Sequence, residues 1–281
     1  MASHQPSQLK QVACLRRKAA LTRKEFFDHH FQVHGAISDK PDDPNDKPHK
    51  FIQVHFFDAA FGERPGGVAG TSNHPWTGRD DMTELYFRDW DHLKSVFGSD
   101  YVHNIIGPDG LNFNDLETAI PLMVEEKPLP FITSVSKDFV KEEGSRTVAV
   151  LYLAVADSSQ NNEEQLEKAF SPALIQALQT HASNEVYGLL ANVGIPSTQF
   201  DLRAYFGGKN MPEYPVVYKI FIKDATSVSS VRKAQHAFLE NSRGKIDEGN
   251  TFIVFGVEGL INDVGKCVKF DKSRQPRLPT L

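Results

Sequence analysis

The order in which strand-like and helix-like patterns follow one another is the strongest constraint on what this chain can fold into. Leu9–Leu15 is a short apolar run that reads as a strand. Thr22-Arg23-Lys24-Glu25 is a capping box, in which Thr22 and Glu25 satisfy each other's backbone N–H groups at a helix start. The helix it opens carries Phe26, Phe27, His30, Phe31 and His34 at helical spacing and is expected to stop at Gly35. Alternation over 51–57 predicts a strand with Ile52, Val54 and Phe56 on one face and Phe51, Gln53, His55 and Phe57 on the other. A strand over 82–87, a helix over 89–97 capped by Asp89 and a turn at Pro108-Asp109-Gly110 follow. Then comes a strand over 118–124, where Pro121 calls for an edge position or a bulge. The order then returns. A strand is predicted over 147–156 and a helix over 162–181, which Pro172 is expected to kink or split. Strands over 185–192 and 216–222, a helix over 225–241 and a strand over 251–257 complete the second run.

Two successive β-α-β-β-α-β runs predict an α+β protein of two ferredoxin-like units. Each unit leaves one sheet face bare, and two units bury those faces together, so the expected architecture is an intrachain barrel. The expected domains are residues 1–128, which hold the candidate site, a linker over 129–146, a second, degenerate unit over 147–262 and a flexible tail over 263–281.

Lys and Arg total 31 against 36 Asp and Glu, and the net charge of −5 argues against a general binder of nucleic acid or anionic membrane. No run approaches the roughly 20 apolar residues of a membrane span. The opening MASHQPSQLK lacks the apolar core of a secretory signal, so the cytoplasm is the expected compartment. Cys14 and Cys267 are too few for a disulfide framework or a cysteine-rich zinc site. Neither Gly66-Gly67 nor Gly207-Gly208 lies in a phosphate-loop frame, and no Gly-x-Ser-x-Gly elbow occurs.

Nine of the 11 histidines fall within residues 1–103, which places any site in the first run. His34 closes the first helix, where a helix dipole favours imidazolium and suits acid/base work; the plain alternative is a C-cap contact. His30 lies one turn earlier on the same face. His-x3-His is a spacing a metal can use, but no glutamate lies between and no third ligand is evident, so a pocket wall is expected and no metal. His55 and Gln53 become polar handles if their strand face lines a cavity, and surface residues if it is solvated. Tyr86 shares a face with Glu84 and is placed to hydrogen-bond a forming enolate, or else lies at a core edge. The long loop over 61–80 holds His74, Trp76 and Arg79, either as a lid over substrate or as a solvated excursion.

The stretch from Arg16 to Gly35, RRKAALTRKEFFDHHFQVHG, resembles the opening of the EthD family, within the dimeric α+β barrel superfamily. There a strand ends in basic residues, a Leu-Thr/Ser-x-x-Glu-Phe helix follows and a His-Gly or His-Ala pair closes it. Thr83-Glu84-Leu85-Tyr86-Phe87, the helix over 89–97 and the stretch from Pro108 to Asp115 are similar to that family's second half. The resemblance covers roughly residues 9–128. It implies a cofactor-free barrel with a pocket between sheet and helices, acting on a small hydrophobic aromatic substrate, with a homodimer possible. It places such chains with dehydration, cyclisation, decarboxylation or oxygenation of polyketide-derived intermediates. The expected acid/base is His34, with Tyr86 and His55 as polar partners. His30, Gln53, His74 and Arg79 would bind substrate, and Phe27, Phe51, Phe57 and Trp76 would wall the pocket. Two other expectations stand beside it: a cofactor-free oxygenase of an anthrone-like substrate, and a non-catalytic carrier of an aromatic metabolite.

Overall fold

The computed structural model describes residues 9–62, 77–156, 162–196, 199–206 and 211–279. The alternating segments form eight strands: β1 (Leu9–Leu15), β2 (Lys50–Phe61), β3 (Asp81–Phe87), β4 (Ile120–Leu129), β5 (Thr147–Leu153), β6 (Val186–Gly194), β7 (Val216–Ile222) and β8 (Phe252–Asp263). They close into one antiparallel barrel in the order β1-β3-β2-β8-β5-β7-β6-β4. One junction between the halves is the long β2–β8 ladder, from Lys50 opposite Asp263 to Phe61 opposite Phe252. The other pairs β4 with β6, from Val124 opposite Gly194 to Leu129 opposite Leu189.

A closed barrel has no edge strand, yet Pro121 is accommodated. It pairs with Ala13 of β1, and the β6 pairing begins only at Val124, so on that side Pro121 has no strand partner and meets the barrel as an edge residue would.

The faces of β1, β2 and β3 divide cleanly. Val12, Cys14, Ile52, Val54, Phe56 and Met82 join residues of the other strands in the barrel interior. Tyr86 belongs to that interior set too. A chain of buried charges crosses it. Lys10 Nζ lies 2.6 Å from both Glu84 and Glu126 and donates to Asn192 at 2.9 Å. Lys219 pairs with Glu84 and, at 2.6 Å, with Glu258, which also takes the Arg146 guanidinium at 2.8 Å. Burial alone would raise the Glu84 carboxyl, but Lys10 and Lys219 outweigh it and hold the group well below the carboxylate range.

In the second half the outward face is solid. Ala149, Leu151, Leu153 and Ile220 pack under helices α5 (Glu163–Ala182) and α7 (Val228–Asn241). α5 runs unbroken through Pro172. Leu166 and Phe170 before the proline, and Leu174 and Leu178 after it, are buried against the same sheet, which holds both parts in one line.

The tail, expected to be flexible, instead straps the first half. Arg274 donates to the carbonyls of Leu260 and Ile261 at 3.0 Å and to that of Lys269. Phe270 rests on Phe31, Gln275 donates to Asp28 at 2.9 Å, and Leu278 is buried among Phe26, Phe27 and Phe113. Apolar side chains at 270 and 278 that find a covered surface explain the order. Arg274→Ala is expected to cost about 1–3 kcal/mol and to remove the hydrogen-exchange protection of the Phe270 amide, which donates to Asp39 at 2.7 Å. Unchanged exchange there would show that the strap does not depend on Arg274.

Candidate active site

The outward face of β1–β3 is covered by two helical walls. Thr22 caps α1 (Arg23–Asp28) with the reciprocal bonds to Glu25 that its sequence predicts. The helix then widens into a π-helical turn over His29–His34 and continues as α2 (Gly35–Asp39). Gly35 does not end it. The residue is helical, with φ −60°, and a Cβ there would meet the Ile261 side chain at 2.6 Å, so glycine lets the helix lie against β8. His34 therefore stands inside a helical run, and the expected help from a helix C-terminus is absent. Burial instead pushes its imidazole down.

The facing wall is α3 (Trp90–Gly98), a second π-helical turn over Val102–Ile106 and α4 (Gly107–Phe113). The turn expected at Pro108-Asp109-Gly110 is the first turn of α4, where a missing proline N–H costs nothing. π-helical turns concentrate at functional sites, and here both border one cavity of about 430 Å³.

His30 and His34 stand side by side in its wall, ring centroids 5.5 Å apart, and Phe113 packs against both. His34 Nδ1 lies 2.9 Å from Asp109 Oδ2, and His29 Nε2 lies 2.9 Å from the other oxygen. Burial would raise Asp109, but the bonds from His34 and His29 outweigh it and keep the carboxylate ionised. His30 Nδ1 contacts Asp81 on β3. Burial pushes His30 down to about 3 and, with the Asp80 charge, pushes Asp81 up, so this pair carries no net charge. Among the described residues, the second nitrogen of neither ring has a hydrogen-bond partner.

The rest of the cavity is largely apolar. Phe51, Leu85, Val96 and Ile106 line its sides. Phe97 closes it together with Tyr205 and Phe206 of α6 (Leu202–Phe206), a helix supplied by the second half. Asn114 is a polar exception: it lines the cavity and its buried Oδ1 has no partner. Phe206→Ala is expected to weaken binding of a planar aromatic ligand about tenfold, the loss of one partly buried ring, as read by calorimetric titration. Unaltered affinity would mean that α6 does not touch the ligand.

Of the residues singled out from sequence, His34, His30 and Phe51 border the cavity. Tyr86 does not. Its strand face points into the barrel, where its hydroxyl donates to Glu126 at 3.0 Å. His55 and Gln53 face neither the barrel interior nor water. They lie sealed under α1, with Phe27 stacked on His55 at 4.4 Å. Phe27 is thereby turned from the cavity, and Phe57 packs against Phe255 at the seam with the second half. Arg79 is buried and donates to the Thr118 carbonyl, so it is not a lid residue. His74 and Trp76 lie outside the described residues.

Asp109, Phe113, Asn114, Tyr205 and Phe206 were not singled out from sequence. Asp109 lies in the family-like stretch from Pro108 to Asp115, where an acid just after a proline also suits a helix start. No pattern marks Tyr205 and Phe206, whose place depends on the barrel closing.

An antiparallel barrel carrying covering helices, with its cavity beneath the helices of one half, is a dimeric α+β barrel-type fold. Residues 18–117 match the EthD domain family. A solved structure described as an anthrone oxidase-like protein has a TM-score of 0.52 at 8% identity, covering 92% of this chain and 95% of its own. A chlorite dismutase mutant from Candidatus Nitrospira defluvii has a TM-score of 0.44 at 9% identity, covering 92% and 93%. At 8% identity the likeness to the anthrone oxidase-like structure is one of fold. No curated protein matches the chain. Among the described residues, no helix is long and apolar enough to cross a membrane.

Proposed function

We propose that this chain is an enzyme that moves protons on a planar, mostly apolar aromatic or polyketide-derived molecule. One observation carries the reading: two adjacent imidazoles, each joined through Nδ1 to a different carboxyl group, share the wall of an apolar cavity. An ionised Asp109 can only accept, so His34 carries its proton on Nδ1 and keeps a lone pair on Nε2. An uncharged Asp81 donates to His30 Nδ1, which leaves N–H on His30 Nε2. A base and a hydrogen-bond donor then meet one substrate.

For a β-hydroxyketone, His34 takes the proton next to the carbonyl while His30 donates to the oxygen as it gains charge. The His34 imidazolium then gives a proton to the departing hydroxyl, and water leaves. The same first step serves aldol-type cyclisation. The orphaned Asn114 Oδ1 suits a phenolic O–H. The substrate class comes from the EthD resemblance and from the cavity's apolar walls.

Oxygenation of an anthrone-like substrate is the second reading, favoured by the name of the anthrone oxidase-like neighbour. It begins with the same proton loss, and dioxygen then takes electrons from the carbanion. Turnover of aromatic β-hydroxyketones and anthrones with and without dioxygen separates the two. Conversion without dioxygen supports the first reading. Conversion only with stoichiometric oxygen uptake supports the second. Tight binding with no conversion under either condition rejects both in favour of a carrier.

We further infer that the halves are two ferredoxin-like units fused in one chain, with the site-bearing unit over 1–128 and the second over 147–262. Strand order supports this: β4-β1-β3-β2 in the first half is matched by β8-β5-β7-β6 in the second.

A further inference from the structure

Behind the cavity-facing side of His30 lies a buried group that joins His30 and Asp81 to His55, a residue the proposed reaction does not use. His55 on β2 and Asp81 on β3 face each other across the ladder, and His30 descends on them from the π-helical turn. One donor atom from each of the three lies within 4.8 Å of the others, and all three residues are buried.

The hydrogen bonds around them fix the donor atoms. The Gln53 amide nitrogen donates to the His30 carbonyl at 2.9 Å, so its Oε1 must be the atom 3.0 Å from His55 Nε2. That oxygen only accepts, so His55 carries its proton on Nε2 and a bare lone pair on Nδ1. His55 Nδ1 and Asp81 Oδ1 are both buried without a partner. An orphaned lone pair beside an orphaned carboxylate oxygen is costly unless something electropositive joins them. A histidine whose far N–H is held by a fixed carbonyl oxygen is also the usual second-shell arrangement of a metal ligand.

We propose that His30, His55 and Asp81 form a binding site for one divalent transition-metal ion, buried behind the His30 wall of the cavity. Two imidazoles and one carboxylate suit zinc, iron(II) or cobalt(II) rather than magnesium, which takes oxygen ligands. The histidine pair picked out by sequence spacing is not the chelate, because His34 turns to Asp109. This revises the expectation of no metal. The ion would polarise His30 from behind while His30 keeps its cavity-facing N–H. The site shares His30 and Asp81 with the acid/base reading, the ion replacing the Asp81 proton, which leaves to solvent, but its ligands do not include the base His34 or Asp109, so metal binding is read separately from turnover.

The test uses the full chain, stripped with chelator, dialysed and titrated with Zn(II), Co(II) and Mg(II). One Zn(II) or Co(II) per chain is expected, with no Mg(II) binding and a visible ligand-field band for Co(II). His55→Phe, which keeps the ring that stacks on Phe27, and Asp81→Asn should each weaken binding more than about 100-fold. Gln53→Leu should weaken it about 10–100-fold. His181→Ala, at an exposed histidine, should change nothing. In the unsubstituted protein, Co(II) should shift the NMR signals of His30 and His55 and spare His181, a readout that needs no variant to fold. Absence of stoichiometric binding, or binding that survives both ligand substitutions, would overturn the proposal whatever the turnover assays show.

Discussion

Replacing His34 by alanine is expected to lower turnover of an aromatic β-hydroxyketone by about 10²–10⁴-fold, the usual worth of a positioned general base. The fold should survive, because the residue stands in the cavity wall, packed against Phe113 and His30 and bonded to Asp109. Asp109→Asn should lose less, because asparagine can still accept from His34 Nδ1 through its carbonyl oxygen while the charge that favours that tautomer is gone. His30→Phe should retain ligand binding and lose turnover, since it keeps a ring in the cavity wall but removes the donor beside the forming oxyanion, along with the contact to Asp81. Kinetics with matched circular dichroism separate these cases. A fully active His34→Ala protein would remove the base from the scheme.

The largest stability effect is expected from Lys219→Met. Lys219 lies at the middle of the buried ionic chain, between Glu84 of the first half and Glu258 of the second. A methionine fills the space but leaves two carboxylates short of a cation in the barrel interior. The expected cost is about 3–5 kcal/mol, seen as a fall in the urea midpoint. Lys168→Ala, which breaks an exposed pair with Glu164 on α5, should stay within about 0.5 kcal/mol. The contrast matters because both changes remove one lysine. Equal small effects would mean that water enters the barrel and screens the chain.

Element order was legible because it follows from local chemistry. The Thr22–Glu25 box, the Asp89 cap and the alternation of β2 and β7 act within a few residues. Gly35 and the Pro108-Asp109-Gly110 triplet misled for the opposite reason. Glycine at 35 answers a tertiary need, contact with Ile261, and Pro108 lies where a helix tolerates it. The face of β2 holding His55 could not be assigned from alternation alone, since a barrel strand is covered on both sides. Only closure decides which face meets helices. Histidine density is highest in the half whose helices wall the cavity, and His34 and His30 border it. Their carboxylate partners were not legible, because Asp109 and Asp81 reach them from α4 and β3, across about 75 and 51 residues of chain. The roof from α6 has the same origin: it belongs to the other half of the molecule.

Uptake of solvent deuterium at the carbon next to the carbonyl of a cavity-sized aromatic ketone tests the central claim most directly. The unsubstituted protein should exchange that hydrogen at least about 100-fold faster than His34→Ala does, with the ketone bound comparably by both. Exchange at the buffer rate, from a protein that nonetheless binds the ketone, would show a chamber that holds such molecules without acting on them.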